Sequence, residues 1–153
     1  MLTREQLDAS DRKILTILQE DARTPIAEIA RQLKMGETTI RYRLNRLTKD
    51  GVISKFSAIL NPRLVGYPVG AILLFKAQPK MLTKVFEKIA SYQEVSHLLQ
   101  TTGSYDMLAV VHAKSLDHLN ELVRELKAIS GVRAAETWMT TGLLKVDLAL
   151  KLT

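Results

Sequence analysis

Apolar residues recur three and four apart through the first fifty positions, then change to runs and alternations after Gly51. Ile14, Leu15 and Leu18 form one face of a helix that starts near Ser10, with Asp8 or Ser10 as its cap. Arg23-Thr24-Pro25 interrupts the pattern. Thr24 as N-cap and Pro25 at the first helical position predict a second helix. It carries Ile26, Ile29, Ala30 and Leu33 at i, i+3, i+4 and i+7 and ends near Lys34. Met35-Gly36 is a tight connection, with Gly36 capping a third helix that Gly51 stops. In that helix Ile40, Leu44 and Leu47 make the apolar stripe. Three short helices with a brief turn before the third read as a helix-turn-helix domain, residues 1–60, of the winged kind.

Residues 52–60, VISKFSAIL, are rich in β-branched and aromatic side chains and predict a strand. Asn61-Pro62, Gly66 and Tyr67-Pro68 mark a linker over 61–68. The remainder, 69–153, predicts a strand at 69–77, a helix at 81–91 and a strand at 95–102. A turn at 102–104, a strand at 105–113 and a helix at 115–129 follow. An extended stretch over 132–150 is broken near Thr141-Gly142. The order βαββαβ is the ferredoxin-like sandwich, so the chain as a whole is α+β. Right-handed crossovers put both helices on one sheet face. Yet the strands are apolar on both sides: Ala71, Leu73 and Phe75 oppose Ile72 and Leu74, and Met107, Ala109 and Val111 oppose Leu108 and Val110. The uncovered face predicts a homodimer through this half. The first domain of the same chain is the alternative cover.

Composition narrows the partners. A net charge of +6 on 153 residues tilts them mildly toward nucleic acid. The absence of cysteine excludes disulfides, thiolate metal sites and cysteine nucleophiles. No apolar run is long enough to span a membrane, and the N-terminus MLTREQLDAS has no apolar core of a signal peptide. A soluble intracellular protein without membrane partners is expected.

The chemistry concentrates on the third helix. At about 100° per residue, Thr38, Arg41, Tyr42, Asn45, Arg46 and Lys49 point away from the apolar stripe. Arginine bridges guanine, asparagine bridges adenine and lysine neutralises phosphate, so this face suits double-stranded DNA. Arg43 lies beside the stripe, where it either reaches a phosphate or pairs with a carboxylate inside the domain.

Several segments resemble the Lrp/AsnC (leucine-responsive/asparagine-regulator, feast/famine) family of transcription factors. They are Asp11-Arg12-Lys13-Ile14-Leu15, Asp21-Ala22-Arg23-Thr24-Pro25, Thr39-Ile40-Arg41-Tyr42-Arg43-Leu44 with Leu47, and Asp50-Gly51-Val52-Ile53. Asn61-Pro62 with Leu64-Val65-Gly66-Tyr67, Thr101-Thr102-Gly103-Ser104-Tyr105-Asp106 and Glu136-Thr137 continue the match. Order and spacing carry the likeness across nearly the whole chain. Gly36 stands where many relatives have serine, which removes a hydroxyl near the DNA. The resemblance implies a sequence-specific regulator with a helix-turn-helix domain, to which Thr39 and Arg43 contribute beside the outward residues. It also implies a βαββαβ domain that dimerises and assembles into octamers or similar rings, responds to amino acids, and binds them between dimers.

The residues themselves supply a candidate for that effector. Asp106 or Glu136 can take an ammonium. The Thr101, Thr102 and Ser104 hydroxyls and the backbone N–H groups around Gly103 can take a carboxylate. Gln100, Tyr105, Thr137 and Thr140 complete the set. An ordinary hairpin turn is the plainer reading of Gly103. No catalytic residue, cofactor or metal site is expected, because His97, His112 and His118 form no ligand pattern. Two other functions stay open: a DNA-binding or architectural protein without an effector, and an enzyme like the sirohaem decarboxylases, which resemble this family.

Overall fold

The computed structural model describes residues 7–142 and 145–152. They divide into two units, one built from residues up to 58 together with 145–152, the other from 59 to 144. The last residues therefore group with the helical unit, where sequence order alone keeps them with the second.

In the first unit, α1 (Ala9–Glu20), α2 (Ile26–Leu33) and α3 (Glu37–Lys49) enclose Ile14, Ile29 and Ile40, each fully buried. Asp8 caps α1 in a reciprocal box: its carboxylate accepts from the Asp11 N–H at 2.8 Å, and the Asp11 carboxylate accepts from the Asp8 N–H. Thr24 does not cap α2. Its hydroxyl donates to the Asp21 carbonyl at 2.7 Å, and Pro25 holds the cap position without a side-chain bond. Gly36 caps α3 as its place before the helix implies.

The strand expected over 52–60 is absent. These residues pair with no strand among the described residues, and those from Ser54 on are exposed. β-branched composition favours an extended backbone, but a strand also needs a neighbour whose N–H and C=O groups face it. The tail at 145–152 likewise pairs with no strand among the described residues. Gln19 fixes it by two bonds to one residue: its amide donates to the Leu150 carbonyl at 3.1 Å and accepts from the Leu150 N–H at 2.7 Å.

The second unit is the expected βαββαβ sandwich, made of β1 (Val69–Ala77), α4 (Leu82–Ala90), β2 (Val95–Gln100), β3 (Met107–Ala113), α5 (Leu116–Lys127) and β4 (Val132–Met139). The strand order is β2-β3-β1-β4, and every neighbouring pair is antiparallel. Alternation decides the core. Ala71, Leu73, Phe75 and Ala77 of β1, with Met107, Ala109 and Val111 of β3, pack against Val85, Ile89, Leu119, Leu122 and Leu126 of the helices. Phe75 is fully buried, and its truncation to alanine costs roughly 3–5 kcal/mol. The opposite face carries Ile72, Leu74, Leu108 and Val110, flanked by Leu99 and Trp138, which are 49% and 55% exposed. β4 ends at Met139, short of the extended stretch expected to 150, so Thr140, Thr141 and Gly142 lie beyond the strand.

Candidate functional site

The two edges of α3 are used differently. Thr38, Thr39, Arg41, Tyr42, Asn45 and Lys49 are exposed, Tyr42 by 67%. No hydrogen bond or ion pair among the described residues engages the side chains of Arg41, Tyr42, Asn45 or Lys49. Arg43 and Arg46 turn back instead. Arg43 donates to Asp11 at 2.8 Å and to Asp8 at 2.6 Å, and Arg46 donates to the other Asp11 oxygen. Of the two uses left open for Arg43, the intradomain carboxylate is the one seen. Arg46, expected to point outward, is a correction. Its helical angle is about 100° from the stripe, and α1 supplies a carboxylate on that side.

Asp11 is the residue that sequence reasoning passed over. It is the single charged side chain in the core of the described residues, with no exposed surface. A buried carboxylate is tolerable when several donors surround it, and here two guanidiniums and one backbone N–H do so. Its position three residues after the Asp8 cap was the available signal. Asp8 is held below the usual carboxylate range, first by the Asp11 N–H and then by the Arg43 guanidinium.

In the second unit, residues 101–106 form a turn outside the strands, because β2 stops at Gln100 and β3 begins at Met107. Gly103 has φ +111°, a conformation that side chains with a Cβ rarely adopt. Thr102, Gly103 and Ser104 are exposed. The Thr101 hydroxyl donates to the Tyr105 carbonyl at 2.7 Å. The Asp106 carboxylate accepts from the Ala77 N–H at 2.8 Å, where the β1–β4 register shifts, so it helps to build the sheet. Glu136, opposite Leu74, accepts from the Tyr105 hydroxyl through one oxygen and from Trp138 Nε1–H at 3.2 Å through the other. That bond to Glu136 raises the Tyr105 phenol above its ordinary value. Lys76 adds a cation 5.5 Å from the Tyr105 ring centre.

Two expected members do not join this group. Thr137 faces the opposite side of β4 from Glu136, with its hydroxyl buried and without a partner among the described residues. Thr140 lies at the far end of the sheet, where its N–H donates to the Gly70 carbonyl at 3.0 Å. The reason is strand geometry: neighbours alternate faces, and each residue advances about 3.3 Å.

A model of winged helix-turn-helix DNA-binding domains matches residues 7–54, and a model of the Lrp/AsnC ligand binding domain matches residues 70–148. The chain belongs to the Lrp/AsnC family. An HTH-type transcriptional regulator of Pyrococcus horikoshii is 40% identical over 141 residues, which cover 92% of this chain and 89% of the relative. The structure of Escherichia coli AsnC superposes with a TM-score of 0.81 at 28% identity, covering 91% of this chain and 95% of that one. A Neisseria meningitidis transcriptional regulator, solved as a complex with L-Met, shares the fold with a TM-score of 0.85 at 24% identity, over 95% and 97% of the two chains. This Lrp/AsnC protein is thus a DNA-binding transcriptional regulator with a ligand-binding domain, and its relatives are regulators rather than enzymes. No helix among the described residues is long and apolar enough to cross a membrane.

Proposed function

We propose that this Lrp/AsnC regulator reads its operator with Arg41, Tyr42, Asn45 and Lys49, aided by Thr38 and Thr39, as a homodimer that responds to an amino acid. The observation that carries the reading is the division of α3: Arg43 and Arg46 are tied to Asp11, while the outer residues have no partner among the described residues. Arg43 and Arg46 serve as positioning residues that fix the angle of α3. Dimerisation through the open sheet face would bury Leu99 and Trp138 along with the apolar row between them. Two-fold pairing then demands half-sites about 10 base pairs apart, or a multiple of that. Copies assembling further, into an octamer or similar ring, would bring the 101–106 turns against neighbouring dimers.

At that turn, Glu136 retains acceptor capacity for an ammonium, since an ionised carboxylate offers about four lone-pair sites and two are in use. The exposed Thr102 and Ser104 hydroxyls and the turn N–H groups can take a carboxylate. A ligand shifts the assembly only by its difference in affinity between states, and coupling of ~1–3 kcal/mol changes operator affinity several-fold or more.

The test has two arms. With a selected operator, Asn45→Ala should lower base discrimination by roughly 1–3 kcal/mol, and Lys49→Ala should weaken all sequences alike and flatten the salt dependence. Unchanged binding by Arg41→Ala/Asn45→Ala removes this face from the account. Calorimetry against the twenty amino acids, paired with sedimentation, tests the effector. If none binds at millimolar concentration, regulation without a small molecule becomes the better description.

A further inference from the structure

Each helix of the first unit carries a carboxylate in its first turn: Asp11 in α1, Glu28 in α2 and Glu37 in α3. An acid there suits the positive end of the helix dipole. Two of the three also hold partners. Asp11 takes Arg43 and Arg46. Glu28 takes the Arg31 guanidinium at 2.6 and 2.9 Å and the Gln32 amide at 2.8 Å. Glu37 is exposed, and no hydrogen bond or ion pair among the described residues engages its side chain. A cation is at hand. Arg41 lies four residues on, the spacing and order in which a glutamate pairs best with a basic residue on a helix, yet no ion pair joins the two.

The place of Glu37 gives its unpaired state a consequence. It is the first residue of α3, and a helix-turn-helix module contacts base edges with the N-terminal residues of this helix. A carboxylate brought up to a polyanion is repelled by the phosphates, so it weakens binding unless a donor meets it. Only two groups on the major-groove edges of the bases are donors, the N4 amino group of cytosine and the N6 amino group of adenine. Adenine sets its N7 acceptor beside N6, and an ionised carboxylate only accepts, so the two acceptors repel. Cytosine itself presents its amino group alone. Four residues of helix advance about 6 Å, against about 3.4 Å per base pair, so Glu37 and Arg41 reach bases about one or two steps apart.

We infer that Glu37 is a specificity-determining residue that accepts a hydrogen bond from the N4 amino group of a cytosine in each half-site, close to the guanine taken by Arg41. The inference rests on the reading of α3 as the operator-binding helix, and adds to it a base that its cationic and amide side chains do not demand.

Selection of binding sites from a randomised duplex pool by the full-length protein tests it, with Glu37→Gln, Glu37→Ala and Arg41→Ala run alongside. The wild type should select cytosine at one position of each half-site that depends on residue 37. Glu37→Gln should move that position to adenine, because a glutamine amide bridges adenine N6 and N7. Glu37→Ala should lose preference there and keep the rest of the motif. On single duplexes, replacing that cytosine should weaken wild-type binding roughly fivefold to a hundredfold, and Glu37→Ala binding by about twofold or less. Duplex without the motif should bind both Glu37 variants at least as tightly as the wild type, since a repelled charge is gone. An unchanged motif in both Glu37 variants overturns the inference, and so does a dependent position that holds any base but cytosine in the wild type. Arg41→Ala separates the two readings. If it alters the motif while the Glu37 variants do not, α3 still reads the operator and only the role of Glu37 fails. A motif indifferent to all three substitutions, or no motif at all, removes the face and this inference with it.

Discussion

Asp11 in the helical unit and Asp106 in the sheet unit are both carboxylates beside a surface proposed to bind a ligand, and they are spent differently. Asp11 is fully buried and takes two guanidiniums, so it sets which arginines of α3 are withheld from solvent. Asp106 is half-buried and takes a neutral N–H from Ala77, so it fixes a bulge beneath the turn and leaves the turn's own groups exposed. The first selects among side chains, and the second supports a backbone. A carboxylate near a binding surface can thus shape it without touching the ligand.

Asp11→Ala should give the largest effect. Breaking a buried ion pair from one side costs about 3–5 kcal/mol, and here it frees Arg46 and leaves Arg43 with Asp8 alone. Denaturant unfolding should show this loss, and non-specific DNA affinity should rise as Arg46 reaches solvent. A loss below about 1 kcal/mol would mean that Asp11 is no clamp. Asp106→Ala should come next, at about 1–3 kcal/mol, because the Ala77 N–H loses its acceptor. Amide exchange at Ala77 should speed up, and retention of wild-type protection there would remove Asp106 from the sheet's support. Tyr105→Phe should cost less than either, since the bond to Glu136 is exposed. It should nonetheless alter amino-acid affinity if Glu136 receives the ammonium, which calorimetry reads.

The smallest effect is on pH dependence. Asp8 has its folded pKa lowered from 3.8, first by the Asp11 N–H and then by Arg43. Its stabilisation is therefore present above the unfolded value and lost as pH falls through the lower folded one. Asp8→Asn should flatten the acid limb of the stability curve below about pH 4. An unchanged limb would show that the Asp8 bonds do not persist in solution.

The helix-turn-helix and the βαββαβ order were legible in the sequence because each rests on local periodicity. Ile40, Leu44 and Leu47 could face only inward on a helix, and Ala71, Leu73 and Phe75 could share only one side of a strand. Gly103 and its polar neighbours marked a turn for similarly local reasons. What periodicity cannot hold is the identity of a neighbour. Arg46 sits at an angle open to solvent or to α1, and Asp11 made the choice. Residues 52–60 have strand composition, yet they pair with no strand among the described residues. Thr137 and Glu136 are adjacent in sequence and opposed across the sheet, and Thr140 meets Gly70 rather than the turn. The arginine pair, the tail on Gln19 and the Thr140 bond to Gly70 all join residues dozens of positions apart. Such contacts form only when packed elements bring distant groups within hydrogen-bond reach, so tertiary structure alone decided them.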